Sequence, residues 1–187
     1  GISKPLRDQQ EVTGLSYNVP YMVTEFSGHM YPTKRFDCEE RQMEHALRHL
    51  RVQDASYQDD SISGAIGWVA FDYNTHKDFG SGDRICYHGV MDMFRIHKFA
   101  SYVYKSQVSP EVEPVLEPVT FWARGERSIG GIIPLIIFTN CDYIDFQYGD
   151  KPTVKNIYPR REIYKGIPYP PVIIDYTVIT PEEVGSW

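Results

Sequence analysis

Long apolar runs, a surplus of positive charge and evenly paired cysteines are all missing from this chain of 187 residues. The densest apolar stretch, Ile132 to Phe138, is only strand length, so no membrane span is expected. Lys+Arg number 19 against 25 Asp+Glu, a net charge of −6. That balance argues against nucleic acid as a partner, because phosphate binding needs a basic surface. The three cysteines, Cys38, Cys86 and Cys141, are odd in number and lack metal-like spacing. Free buried thiols are therefore expected, with Cys38 structural at a helix start. No secretory leader pattern opens the chain. Its compartment is not read from that end; a bacterial cytoplasm or periplasm is favoured over a membrane.

What is present is an ordinary soluble composition, 42% hydrophobic and 24% charged, long enough for one large domain or two small ones. The 14% aromatic content is high. Aromatic faces suit a sugar site, although a single tyrosine more often fills a core.

Residues 1–19 read as irregular. Residues 21–26 read as a buried strand. A loop over 27–36 comes next, broken by Ser27, Gly28 and Pro32. Asp37 with Glu40 gives a capping-box-like helix start, and Met43, Ala46, Leu47 and Leu50 form one apolar helical face. His45 and His49 share a face of this helix and are expected to be solvated. Residues 63–72 read as a second strand, whose Gly64 and Gly67 would admit a close backbone or ligand approach. A long polar loop from Tyr73 to about Gly89 precedes a final helix over 98–107.

Val108 to Pro118 is rich in Pro and Glu and reads as an extended linker. Beyond it the pattern is all-β. Strands are predicted at 119–123, 132–139, 143–148 and 172–179, with a turn at Gly149-Asp150 and an irregular stretch from Pro159 to Pro171.

Two segments carry chemistry. Tyr21-Met-Val-Thr-Glu-Phe26 and Ala65-Ile-Gly-Trp68, continuing to Asp72-Tyr-Asn74, are strand-like runs that end in polar and aromatic residues. Strand, helix, strand with chemistry at the carboxyl ends is the layout of a (β/α) barrel site. The Thr24-Glu25-Phe26 end and the Trp68…Asp72 spacing resemble the last two strands of the catalytic barrel of glycoside hydrolase family 2, the β-galactosidases, β-glucuronidases and β-mannosidases. Phe138-Thr-Asn-Cys-Asp142, together with the stretch from Tyr143 to Lys151, resembles the immunoglobulin-like domain after that barrel. The resemblance implies an α/β fold, the C-terminal part of a TIM barrel over 1–110, a linker over 111–118 and an all-β immunoglobulin-like sandwich over 119–187. Both domains are expected to be incomplete, because a (β/α) barrel needs eight strands.

By the same resemblance Glu25 is the catalytic nucleophile of a retaining glycosidase, and Trp68 is the floor on which the sugar stacks. His29, Asp72 and Asn74 are implied substrate-binding residues, and His76, Lys77 and Asp83 are weaker loop candidates. A nucleophile must be an ionised carboxylate, held by hydrogen-bond donors. A retaining pair of carboxyl groups stands about 5–5.5 Å apart. The family's acid/base is a glutamate after an asparagine, and no Asn-Glu dipeptide occurs here. The partner is therefore expected in a missing N-terminal part of the same polypeptide, and the chain alone is expected to be inactive. Where the family's members carry proline before Lys98, this chain has His97, read as a local change at the last helix's start.

The Gly28-His-Met-Tyr-Pro-Thr-Lys34 tail resembles the family's β-galactosidases, so a terminal β-D-galactoside is the expected substrate. No cofactor or metal is expected, and a homo-oligomer is compatible. β-Mannosidase, β-glucuronidase and a non-catalytic carbohydrate-binding module remain open.

Overall fold

The computed structural model describes residues 5–27, 31–78, 82–123, 125–127 and 131–180. After a short helix α1 (Gln9–Thr13), strand β1 (Tyr21–Phe26) leads into helix α2 (Glu39–Tyr57) and strand β2 (Ile62–Gly67). β1 and β2 pair in parallel. A β-α-β unit of this kind needs a crossover, and α2 supplies it. Two short strands, β3 (Tyr73–Asn74) and β4 (Ile85–Cys86), pair antiparallel within the predicted long loop. Helix α3 (Phe99–Lys105) ends the mixed half.

Among the described residues no closed barrel forms; the parallel sheet has two strands. β2 stops at Gly67 and not at residue 72. From Val69 on, the backbone leaves the β1 ladder for the segment after β4. Val69 N–H donates to His88 O (3.2 Å), Val90 N–H to Val69 O (2.9 Å) and Met91 N–H to Ala70 O (3.0 Å).

The second half holds β5 (Leu116–Pro118), β6 (Leu135–Thr139), β7 (Ile144–Phe146), β8 (Val154–Ile157) and β9 (Val172–Ile174). β6 is the middle strand of an antiparallel β5-β6-β9 sheet, and β7 and β8 form a hairpin. The predicted strand at 119–123 is displaced: pairing occurs at Leu116–Pro118, inside the expected linker. Asn140 holds that stretch down. Its amide oxygen accepts from Val115 N–H (2.8 Å), and its amide nitrogen donates to the carbonyls of Val108 (2.9 Å) and Glu113 (2.8 Å). β9 ends at Ile174, five residues early, because the Asp175 carboxylate accepts from Thr177 N–H (2.9 Å) and turns the chain. β8 is not among the predicted strands; its exposed middle, Lys155 and Asn156, hides the alternation.

Every residue of β6 is buried. Successive side chains of a strand point to opposite faces. Leu135 and Ile137 accordingly join one core with Ile144, Phe146, Ile157, Val172 and Ile174. Ile136 and Phe138 join a second core with Ala46 and Leu50 of α2 and Phe99, Ala100 and Val103 of α3. The mixed half and the β half therefore share a core across the linker. Burying Leu- or Phe-sized side chains contributes about 1.5–3 kcal/mol each.

A buried ion pair joins the halves as well. The Glu39 carboxylate accepts from the Arg127 guanidinium, from Phe121 N–H (2.7 Å) and from the Thr120 hydroxyl (3.1 Å). Arg127 also donates to the carbonyls of Ile132 and Pro134, both at 2.6 Å.

Three local expectations are corrected. Cys38, not Asp37, is the N-cap of α2, and no side chain caps it. The Asp37 carboxylate instead accepts from Lys34 N–H (2.7 Å) in the preceding turn. Of the three free cysteines only Cys86 is buried, while Cys38 is exposed. His45 and His49 are not solvated but 2% and 0% exposed. Their face of α2 packs under the parallel strands. Among the described residues no helix is long and apolar enough to cross a membrane.

Candidate active site

The carboxyl ends of β1 and β2 lie side by side, joined by Trp68 N–H donating to Phe26 O at 2.8 Å. The β1–β2 register slips between Val23 and Phe26. A slip of this kind breaks strict alternation and re-aims side chains. Thr24 and Glu25 are consequently both exposed, although they are neighbours on one strand. Phe26 turns inward onto His49, with ring centroids 5.4 Å apart.

Trp68 comes directly after the last residue of β2 and is half-buried. Its indole meets the Tyr73 ring edge-to-face, at 6.2 Å and 76°. Tyr73 faces Cys86 across the β3–β4 ladder. Its hydroxyl is held above its usual value, first by hydrogen bonding to Cys86 and then by burial, with the Glu25 charge adding to the effect and Trp68 opposing it. Glu25, Trp68, Tyr73 and Cys86 thus occupy one neighbourhood. Behind it the Cys86 thiol lies 3.0 Å from His88 Nδ1.

Asp72 does not face solvent. It is 5% exposed, accepts from Lys98 Nζ (2.7 Å) and from Gly89 N–H (2.9 Å), and so closes the segment after β2 onto that after β4. Burial pushes the Asp72 carboxyl up and the Lys98 ammonium down, and each opposes the other's shift. Asn74 is exposed on β3 opposite Ile85. His29 lies outside the described residues. Asp83 accepts from the Tyr87 hydroxyl at 2.5 Å, and His76 Nδ1 accepts from Asp78 N–H at 3.2 Å.

Of the two glycines expected to admit a close approach, Gly64 has open space where a Cβ would be. At Gly67 a Cβ would sit 2.6 Å from the Tyr104 hydroxyl and 3.1 Å from the His49 ring. The approaching groups are thus protein side chains. His49 Nδ1 and the Tyr104 hydroxyl are hydrogen-bonded at 2.8 Å. Burial pushes the Tyr104 phenol up to about 12. His45 stands edge-on to His49 at 5.0 Å.

Among the described residues neither His45 Nδ1 nor His49 Nε2 has a hydrogen-bond partner. Burial lowers His49 to about 4. Burial, with the charges of His49, Lys98, His88 and Arg41, lowers His45 to about 2. The folded values lie below the unfolded one of about 6.5, so the native state holds both rings neutral and the unfolded chain takes up protons first. Their contribution to stability is complete above pH 6.5. It falls as the pH drops towards 4 for His49 and towards 2 for His45. Denaturant midpoints should therefore decline from pH 6.5 to 4 and flatten in an H45Q/H49Q variant; an equally steep decline in that variant would remove the histidines as the cause.

Tyr73 and Lys98 are the residues that sequence reasoning misses at this site. Tyr73 sits between Asp72 and Asn74, and its aromatic ring is the available signal. Lys98 reads as a helix-start lysine; its apolar neighbours Phe99 and Ala100 are the only hint of burial.

No family model matches the chain. Over all of its 187 residues it is 80% identical to a protein named beta-galactosidase from Thermoanaerobacterium thermosulfurigenes. It is 49% identical to a beta-galactosidase of Rhizobium meliloti over 191 aligned residues, and 42% identical over 158 to one of Thermoanaerobacter pseudethanolicus. The chain spans 26%, 25% and 20% of those proteins.

Proposed function

We propose that this chain is a segment of a β-galactosidase of glycoside hydrolase family 2, and that it carries the nucleophile of a retaining reaction on terminal β-D-galactosides. The observation that carries the reading is the 80% identity across the whole chain to a protein of that name. It is joined by a carboxylate and an indole at adjacent carboxyl ends of parallel strands. In this reading the 1–110 segment belongs to a (β/α) barrel and 119–187 to an immunoglobulin-like sandwich.

Glu25 attacks the anomeric carbon and expels the aglycone. A glutamate elsewhere in the longer polypeptide protonates the leaving oxygen and then activates water, which releases galactose with retained configuration. Trp68 stacks on the sugar, and Tyr73 holds the indole edge-on. Asn74, exposed on β3, and His29 after β1 reach for hydroxyls. Asp72 serves the substrate from beneath, by holding the loop that carries Trp68. No organic cofactor enters these steps.

A 2-deoxy-2-fluoro-β-galactoside with a dinitrophenolate leaving group slows both steps but releases the aglycone faster, so the glycosyl–enzyme accumulates. In the full-length protein one label should appear per chain, on Glu25, and peptide mass spectrometry reads its position. The 187-residue chain alone should show no turnover. A label on another carboxylate, or none in a protein that hydrolyses β-galactosides, would overturn the nucleophile assignment.

A further inference from the structure

Lys98 is 1% exposed, and it heads the fully buried side chains by size among the described residues. An ammonium has three N–H donors. Those of Lys98 meet Thr33 O at 2.6 Å, Asp72 Oδ1 at 2.7 Å and Tyr87 O at a longer 3.5 Å. The three acceptors come from three segments. Thr33 lies in the loop that leaves β1 after Glu25. Asp72 lies in the segment that leaves β2 after Trp68. Tyr87 comes just after β4, beside Cys86.

Backbone bonds reinforce the same junction. Thr33 N–H donates to Tyr87 O at 2.9 Å, and Gly89 N–H to the Asp72 carboxylate at 2.9 Å. Lys98 itself is the N-cap of α3, and its own N–H donates to Val90 O at 3.1 Å. The lysine is therefore anchored at the head of a helix packed into the shared core. One atom, on a rigid support, joins the loop behind the carboxylate to the loop behind the indole.

Stability alone is a weak reason for such a pair. Removing two charges from water costs several kcal/mol per ion, and well-packed apolar residues of similar volume often hold a core as well or better. What an ammonium does that an apolar side chain cannot is fix directions to three oxygens at once.

We propose that Lys98 is a positioning residue for the galactosidase reaction: by tying Thr33, Asp72 and Tyr87 together it sets the spacing between the Glu25 loop and the Trp68 loop. The proposal rests on the reading of Glu25 given above. It places no part of Lys98 against substrate. A misplacement of about 1 Å at a reacting centre costs on the order of a hundredfold in rate.

The test uses the full-length enzyme and the fluoro-sugar burst, which counts functional sites. K98M leaves Asp72 buried without its cation and loses stability for that reason. D72N/K98M removes both charges, and the amide oxygen that replaces the carboxylate still accepts from Gly89 N–H, so this variant separates folding from positioning. In the double variant kcat per titrated site should fall roughly a hundredfold, with KM changed by less than about threefold. Wild-type kcat per site in the double variant would overturn the proposal. So would loss of the fold in both variants, which would make the pair a folding element only. E25Q in the same series keeps the two claims apart. An active E25Q enzyme defeats the nucleophile reading and this proposal with it, whereas an inactive E25Q beside an unimpaired double variant defeats the positioning role alone.

Discussion

Replacing Glu25 with Gln in the full-length protein should cost roughly a thousandfold or more in kcat on an aryl β-galactoside, about 4 kcal/mol of barrier. Glutamine keeps the volume of the side chain and removes the nucleophilic oxygen. Glu25 is exposed at the end of β1 and belongs to neither core, so the substitution should leave the melting temperature within about a degree or two. That separation of activity from stability is the useful part of the experiment. A second variant, E25A, leaves a gap on the face of the sugar opposite the aglycone. Added azide can enter that gap and attack once, so an activated galactoside should yield the α-configured galactosyl azide. A β-configured product, or near-normal hydrolysis by E25Q, would assign the nucleophile elsewhere.

Gly89→Ala should produce a large loss of stability from a single methyl group. A Cβ there would stand 2.2 Å from Asp72 N, 2.4 Å from Met91 O and 2.4 Å from the Phe71 carbonyl carbon. All three are backbone atoms, Asp72 N and the Phe71 carbonyl carbon in the segment that lies against the chain after β4 and Met91 O in that chain itself, and none can rotate away. Accommodation means pulling that segment apart, which lengthens the Gly89 N–H···Asp72 bond of 2.9 Å and loosens the Asp72–Lys98 pair. A loss of about 3 kcal/mol is expected. Gly64→Ala is the matched control, because nothing lies within 4 Å of a Cβ there. It should be neutral or slightly stabilising, since Ala restricts the unfolded chain more than Gly does. Urea denaturation of the two variants side by side checks the contrast, and equal midpoints would show that the segment yields easily.

The local chemistry of the two strand ends is legible in the residues themselves. Thr24-Glu25-Phe26 and Trp68 mark a candidate site because an apolar run closes on a carboxylate or an indole, and that pattern needs no knowledge of any contact. The helix between them is legible for the same reason: Met43, Ala46, Leu47 and Leu50 repeat with its period. The alternation of Ile144, Asp145 and Phe146 likewise marks β7.

What the residues could not declare was every choice that depends on a distant partner. His45 and His49 look like surface residues of an amphipathic helix, and they are buried: Phe26 of β1 and Tyr104 lie against His49, and His45 stands edge-on to His49. Asp72 looks like a sugar ligand, and its carboxylate is taken by a lysine that lies 26 positions along the chain. The end of β2 at Gly67 reflects a competition between two backbone ladders, one with β1 and one with residues 88–91. Periodicity reports the preference of a segment for one face, and these residues reached their places through long-range hydrogen bonds and packing that no local pattern encodes.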